Sequence, residues 1–226
     1  REKELQYIDL LYSHRVLGIV VCSHIGETME HLDSNCPLIS FEREIAENIP
    51  AVLCDNYQGG ILAANRLLDA GCRNIAIFNT PTKENIPAYS REKAFMKCCE
   101  DKKISGRVVY TDRLAPLSEE FGNNILELLK KNSDLDGIFA TSDVMAANII
   151  RACKKMGKRV PEDISIVGFD DTWISTLTYP SITTIHQPVQ EMCEYAIEAI
   201  VKKVKSEKVP SQVVFPVELI DRESTK

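Results

Sequence analysis

Two adjacent carboxylates follow an apolar stretch of the sequence at residues 164–172. The stretch reads Ile-Ser-Ile-Val-Gly-Phe-Asp-Asp-Thr, so the pattern of a buried strand runs directly into Asp170 and Asp171. In an open α/β sheet, ligands bind beyond the carboxyl ends of the strands. The pattern therefore predicts that a small molecule is held beside these carboxylates, although either one could instead only cap a turn.

Polar side chains also follow the other predicted strands or open a helix after a long loop. Carboxylates accept hydrogen bonds from hydroxyl groups, and a guanidinium donates up to about five. Such a set suits a polyhydroxylated ligand. The residues concerned are Glu42, Arg43, Asp55, Asn56, Arg91, Ser142 and Asp143.

Each of these residues also has an alternative without a ligand. Asp143 could be an acid in the first turn of a helix, and Asp55 with Asn56 could shape a turn and cap the next helix. Arg91 could be a solvated helix residue. Their shared position after strands favours a common cleft for several of them.

Strand-like and helix-like segments alternate along the chain, which predicts an α/β protein with parallel sheets. The segment 179–188 is rich in β-branched residues and punctuated by proline, so it predicts an extended connector. The predicted strands are 17–22, 37–41, 51–54, 74–78, 107–110, 137–140, 164–169 and 213–217. The predicted helices are 2–13, 57–70, 91–101, 118–131, 143–156 and 189–205.

Composition bounds the possible functions. The chain has 33 acidic and 27 basic side chains in 226 residues, a net charge of −6, and we find no helix-turn-helix pattern. An acidic chain is a poor nucleic-acid binder.

The eight cysteines of this chain form no Cys-x-x-Cys pair and have no zinc-ligand spacing, so we expect reduced thiols, no metal and no cofactor. With no signal peptide or membrane-span pattern, we expect a cytoplasmic protein.

Four motifs give the chain a resemblance to a known family. They are Asp-Asn-Tyr-Gln-Gly at 55–59, Gly-Cys-Arg-Asn-Ile at 71–75, Val-Gly-Phe-Asp-Asp at 167–171 and Thr-Thr-Ile-His-Gln-Pro at 183–188. Over almost all of its length the chain resembles the effector-binding domain of lactose- or galactose-repressor-type bacterial transcription regulators. The resemblance implies two Rossmann-like parallel-sheet subdomains joined by three crossovers, the type I periplasmic binding protein-like fold.

The resemblance also implies a division of the chain. Residues 1–54 plus 189–214 would form the N-terminal subdomain, and 55–186 plus 217–226 the C-terminal subdomain. In the family, a DNA-binding headpiece and further strands precede the point that matches Leu17. The resemblance therefore implies that the N-terminal subdomain is incomplete here and that the headpiece is absent.

Several site residues carry over from the family. Ser-Arg-x-x-Ala-Phe at 90–95 is similar to the family's Arg-x-x-Gly-Phe segment, which implies that Arg91 contacts the effector. The acid after Gly-Phe implies the same for Asp170. Ser142 with Asp143 matches the family's Asn-Asp or Ser-Asp pair.

Other positions match less closely or have an open role. Glu42-Arg43 stands where the family has Asp-Arg, and glutamate is one methylene longer. Gln187 belongs to the connector near the cleft mouth. Trp173 could form an aromatic wall for a ligand or simply pack at an edge.

The family implies an effector-sensing domain that binds a small sugar-like ligand between its halves and modulates DNA binding by a homodimer. A nucleobase or nucleoside is a less favoured effector. The alternative is a periplasmic sugar-binding protein, which eight unpaired cysteines and the lack of a signal peptide disfavour.

Paired acids alone could suggest glycoside hydrolysis. No Gly-rich phosphate loop, nucleophile elbow or His-based triad is visible, so we expect no enzyme.

This chain alone is expected not to bind operator DNA, because phosphate neutralisation needs clustered Lys and Arg. The one dense basic group, Lys202, Lys203, Lys205 and Lys208, contains Glu207. A mobility-shift assay at low salt would compare this chain with the full-length protein, which should bind as a dimer on two half-sites. Tight, sequence-specific binding by the chain itself would contradict the expectation.

Overall fold

A computed structural model describes residues 2–22, 36–81 and 86–226. The chain divides into two compact units. Unit 1 comprises Arg1–Cys54 and Pro188–Phe215, and unit 2 comprises Asp55–Gln187 and Pro216–Lys226. None of the described helices is long and apolar enough to cross a membrane.

Helices and strands alternate along most of the chain. In chain order they are α1 (Glu2–Ser13), β1 (Ile19–Val21), β2 (Leu38–Phe41), β3 (Ala51–Cys54), α2 (Asn56–Asp69), β4 (Asn74–Asn79), α3 (Pro87–Lys102), β5 (Ser105–Tyr110), α4 (Glu119–Lys131), β6 (Gly137–Ala140), α5 (Asp143–Lys155), β7 (Ser165–Asp170), α6 (Trp173–Leu177), β8 (Thr183–His186), α7 (Val189–Val204), β9 (Gln212–Phe215) and β10 (Glu218–Ile220).

Unit 1 contains a four-stranded parallel sheet in the order β1-β2-β3-β9. Helix α7 packs against β1, β2 and β3 and buries Met192, Ala196, Ala199 and Ile200. The approach is close at Gly18, where a Cβ atom would lie 2.6 Å from Cγ2 of Ile200. Only glycine therefore fits at this point of the strand-to-helix contact without displacing Ile200.

Unit 2 contains a six-stranded sheet in the order β10-β8-β7-β6-β4-β5. Five strands are parallel, and β10 pairs antiparallel with β8. Successive side chains of each strand point to opposite faces of the sheet. On one face, Phe78 and Ile138 pack with residues of α4 and α5. On the other face, the rings of Phe95, Phe139 and Phe169 form a chain with centroids 5.9 and 6.3 Å apart. Helices on both faces explain why these strands read as continuous apolar runs.

The predicted α/β class with parallel sheets is confirmed, and the differences concern particular segments. The segment predicted as an extended connector contains β8, a sheet strand between β7 and β10. Thr183 and Thr184 in β8 are fully buried because other parts of unit 2 supply their hydrogen-bond partners. The short elements α6 and β10 were not predicted. Helix α3 begins at Pro87 instead of Arg91, since proline is favoured at the first helical position.

Replacing Phe139 by alanine should lower the free energy of unfolding by about 3–5 kcal/mol, because the ring is fully buried between Phe95 and Phe169. Urea denaturation measures the loss. Tyr179→Ala is the control, since Tyr179 is 91% exposed and its removal should change the value by no more than about 0.5 kcal/mol. Equal losses in the two variants would contradict the placement of Phe139.

Candidate functional site

A buried arginine lies at the carboxyl edge of the unit 2 sheet. Arg91 is only 7% exposed, which rules out the alternative of a solvated helix residue. Its Nε donates to Oδ1 of Asn56 at 2.5 Å, and its Nη1 donates to the backbone oxygen of Thr141 at 3.0 Å. The guanidinium carbon lies 3.4 Å from the ring centroid of Phe169, a cation–π contact. These contacts hold the guanidinium in one orientation beside the ends of β6 and β7.

A chain of polar side chains continues from this arginine toward β5. The Thr141 hydroxyl donates to Oδ1 of Asn79 at 3.3 Å, and Nδ2 of Asn79 donates to Oε2 of Glu92 at 2.9 Å. The Tyr110 hydroxyl donates to Oε1 of Glu92 at 2.8 Å, and the hydrogen bond to this carboxylate raises the pKa of Tyr110 to about 12. Sequence reasoning missed Asn79 and Glu92. The available signals were Asn79 at a strand end and Glu92 next to Arg91.

The two adjacent carboxylates after β7 have different environments. Asp170 has φ of 105° and Asp171 has φ of 56°, and both values are unusual for residues other than glycine. Nε2 of Gln187 donates to Oδ1 of Asp170 at 2.6 Å. The structure thus brings together two residues that the sequence analysis placed at the site from separate motifs.

Asp171 is held within unit 2 by a cation and a histidine. Nη2 of Arg222 donates to its Oδ1 at 2.6 Å, and Nδ1 of His186 lies 3.0 Å from its Oδ2. Burial acts to raise the pKa of Asp171, but the hydrogen bond and charge of Arg222 outweigh it, so the pKa is lowered. This carboxylate is therefore kept ionised by the protein itself.

Asp143 is fully buried and accepts three hydrogen bonds. The backbone nitrogen of Thr172 donates to Oδ2 at 2.6 Å, the Thr172 hydroxyl donates to the same oxygen at 3.1 Å, and the Thr184 hydroxyl donates to Oδ1 at 2.6 Å. A Cβ atom at Gly168 would lie 2.5 Å from Oδ1, so the glycine makes room for the carboxylate. Burial raises the pKa of Asp143 and the hydrogen bonds oppose that rise.

Three more of the predicted residues in unit 2 lie at the starts of helices. The Asp55 carboxylate accepts from the backbone nitrogen of Gln58 at 2.9 Å and caps α2. The Ser142 hydroxyl accepts from the backbone nitrogen of Met145 at 3.2 Å and caps α5. Trp173 is the first residue of α6 and is 71% exposed.

Unit 1 has its own polar group at the carboxyl end of β2. Glu42 has φ of 53°, and its Oε1 accepts from the backbone nitrogen of Cys54 at 2.5 Å. Nε of Arg43 donates to the backbone oxygen of Cys22 at 3.2 Å, and burial lowers the pKa of Arg43. The side chain of Glu42 thus ties the end of β2 to the end of β3.

The described part of the chain contains no group of three or more His, Cys, Asp or Glu side chains that could hold a metal ion. The carboxylate, amide and guanidinium groups at the carboxyl edge of the unit 2 sheet can instead bind the hydroxyl groups of a ligand by hydrogen bonds. His24 and His31 lie outside the described residues.

Removing the Asp143 carboxylate should destabilise the protein. Asp143→Leu leaves the half-buried Thr172 and the buried Thr184 donors without their acceptor, at a cost of about 1–3 kcal/mol for each buried group. Asp143→Asn keeps one acceptor oxygen and should lose less. Urea denaturation near neutral pH measures both, and a leucine variant as stable as the wild type would contradict the assigned contacts.

The stability of the wild type should also depend on pH through Asp143. Its pKa is raised on folding, so the folded state binds this proton more tightly than the unfolded chain. The resulting stabilisation is complete below the unfolded-state pKa and is lost as pH rises through the folded-state pKa. Asp143→Asn lacks this contribution, so the difference in unfolding free energy between the two proteins should change in that window. A difference that is constant with pH would contradict the raised pKa.

Comparison with known proteins identifies the family. The model of the periplasmic binding protein-like domain matches residues 64–225. The ribose operon repressor of Halalkalibacterium halodurans is 32% identical over 226 residues, which are all of this chain and 67% of that repressor.

Two solved structures are similar along nearly the whole chain. One is a periplasmic binding protein/LacI transcriptional regulator from Alkaliphilus metalliredigens complexed with D-xylulofuranose, with a TM-score of 0.86, 33% identity and coverage of 100% of this chain and 84% of that one. The other is a LacI family regulator from Enterococcus faecium with bound ribose, with a TM-score of 0.83, 26% identity and coverage of 98% and 84%. The chain belongs to the periplasmic binding protein-like domain family and is the effector-sensing domain of a LacI-type transcriptional repressor.

Proposed function

We propose that the carboxyl edge of the unit 2 sheet binds a monosaccharide effector, most readily a pentose. The observation that carries the proposal is the buried Arg91, held by Asn56, Thr141 and Phe169 at the point where β6 and β7 end. A buried cation with fixed orientation is suited to donate to ligand hydroxyl groups. Xylulofuranose and ribose in two similar structures support a pentose.

Arg91 and Asp170 are the proposed polar contacts. Nε and Nη1 of Arg91 bond to the protein, and Nη2 belongs to neither of these bonds, so it can donate to a sugar oxygen. A carboxylate can accept about four hydrogen bonds. The hydrogen bond from Gln187 orients the Asp170 carboxylate, and we propose that this carboxylate also accepts from a sugar hydroxyl.

The remaining predicted residues have supporting roles in this proposal. We assign Asp143 to positioning, because it is fully buried and holds the segment that follows Asp170 through Thr172. Ser142 and Asp55 keep their helix starts in place beside the ligand. Trp173, with its exposed ring, is proposed as an aromatic contact for the ligand.

We propose that unit 1 contributes Glu42 and Arg43 to effector binding. The two units correspond in this proposal to the two subdomains of the family. The effector acts by binding one conformational state of the protein more tightly than another. The relatives are repressors, and we propose no catalytic step.

The full-length protein is proposed to be a cytoplasmic homodimer that reaches operator DNA through an N-terminal helix-turn-helix. The repressor function of the relative supports this arrangement. Two-fold symmetric operators match paired headpieces on two half-sites.

Ligand screening tests the proposed effector class. D-ribose, D-xylulose, sucrose and adenine would be compared by thermal shift, because a ligand that binds only the folded state raises the apparent stability. A pentose is expected to give the largest shift. Stabilisation by adenine alone, or by sucrose alone, would contradict the proposed pentose.

Arg91→Ala and Asp170→Ala should each weaken binding of the best pentose by about 2–5 kcal/mol, which is at least about thirty-fold in Kd. The reason is that each side chain donates or accepts a charge-assisted hydrogen bond at a desolvated site. Isothermal titration calorimetry measures the affinity, and Arg91→Lys tests whether charge without the planar fork suffices.

Arg159 and Asp163 offer matched controls, since they form an ion pair just before β7, at the opposite edge of the sheet. Arg159→Ala and Asp163→Ala remove the same side-chain types and should leave the affinity unchanged. Unchanged affinity in both site variants, with wild-type unfolding curves, would reject the proposed contacts.

A further inference from the structure

Two of the eight cysteines are exposed, and both belong to unit 1. Cys22 follows the last residue of β1, and Cys193 lies in the early part of α7. None of the eight cysteines forms a disulfide in this structure, and four of them are buried. The exposed pair is therefore the pair that a dissolved oxidant reaches most easily.

The direction of α7 places Cys193 near the carboxyl ends of the strands. Lys203, in the last turn of α7, lines one surface cavity together with Pro50 and Ser211. Those two residues come directly before β3 and β9, so the end of α7 lies at the amino edge of the parallel sheet. The early turns of α7 then lie toward the carboxyl edge, where Cys22 follows β1.

The facing surfaces of strand and helix bring the two side chains toward each other. A Cβ atom at Gly18 would point at Ile200 of α7. Side chains alternate along an extended chain, so residue 22 points to the same face as residue 18. Cys193 lies seven residues, or about two turns, before Ile200 and on the same side of the helix.

The two spans from that contact have similar lengths. Seven helical residues rise about 10.5 Å, and four extended residues span about 13 Å. The chain direction of α7 is antiparallel to that of β1. Four residues forward from Gly18 and seven residues back from Ile200 therefore lead to the same edge of the sheet, which places Cys22 and Cys193 at neighbouring positions. The pKa of Cys22 agrees with this proximity. Burial is the main cause that raises it, the negative charge of the Cys193 thiolate raises it further, and the positive charge of Arg43 acts to lower it.

We propose that Cys22 and Cys193 form a redox modification site that a peroxide converts into an intramolecular disulfide. One thiolate attacks a peroxide oxygen, which breaks the O–O bond, gives a sulfenic acid and releases one water after protonation. The second thiol attacks the sulfenic sulfur, and the S–S bond forms as a second water leaves. In sum, the two thiols lose two electrons and two protons, and one hydrogen peroxide is reduced to two waters.

The site has a chemical consequence for unit 1. The bond would tie the chain after β1 to the early part of α7, beside Arg43, whose Nε donates to the Cys22 backbone oxygen. The raised pKa of Cys22 leaves less thiolate at neutral pH, so disulfide formation should accelerate as pH rises.

The test uses the whole chain, reduced and then exposed to hydrogen peroxide near neutral pH. Thiol titration in denaturant should fall from eight to six, the eight cysteines less the two in the disulfide. Peptide mapping without reductant should join the peptides that contain Cys22 and Cys193, and a reductant should restore both thiols. The rate should not change on about tenfold dilution of the protein, as expected of an intramolecular step.

The variants Cys22→Ser and Cys193→Ser should each abolish the cross-link and retain wild-type thermal unfolding, because both residues are exposed. Cys98→Ser, a half-buried cysteine of unit 2, is the matched control and should keep the cross-link. A disulfide between two chains, a pairing with any other cysteine, or overoxidation of Cys22 and Cys193 without a cross-link would each overturn the proposal.

Discussion

The buried carboxylate of Asp143 is the interaction on which the carboxyl edge of unit 2 depends. It belongs to the first turn of α5 after β6, it accepts from Thr172 after β7, and it accepts from Thr184 within β8. One side chain therefore joins segments that belong to or follow three neighbouring strands of the sheet, β6, β7 and β8. Burying a carboxylate is costly, and its three hydrogen bonds offset that cost. Gly168 is part of the same arrangement because a side chain there would meet the carboxylate.

The acids at this edge illustrate how environment separates the roles of identical groups. Asp143 is surrounded by hydroxyl and amide donors and has a raised pKa. Asp171 faces Arg222 and has a lowered pKa. Asp170 accepts from the neutral Gln187. Gln187 orients the Asp170 carboxylate by a hydrogen bond, whereas Arg222 both orients Asp171 and lowers its pKa through its charge.

Arg91 shows the complementary case of a buried cation. Its charge is stabilised by three neutral partners, which are the Asn56 side chain, a backbone carbonyl and the face of Phe169. Within the described residues, these partners fix the guanidinium without forming an ion pair with it. The exposed ion pair of Arg159 and Asp163 is the opposite arrangement, in which each charge neutralises the other.

Local sequence determined the architecture and several of the helix starts. The alternating apolar runs specified parallel strands, and Ser142 and Ser118 cap helices as their residue types predict. The strand ends that carry Asp170 and Asn56 could likewise be predicted from the pattern. The motifs also sufficed to recognise the family, because they are specific combinations of turn and strand-end residues.

Only the tertiary structure decided which polar residues are buried and what they contact. Arg91 meets partners 35 and 50 positions away, and Asp143 meets Thr184 at a separation of 41. The same holds for β8, whose sequence predicted an extended connector. In the folded protein it is a sheet strand, and Arg222 and Asp143 accept hydrogen bonds from its buried threonines. Periodicity and capping depend on neighbours within a few residues and are therefore readable from the chain. Desolvation, hydrogen-bond partners and pKa depend on segments that only folding brings together.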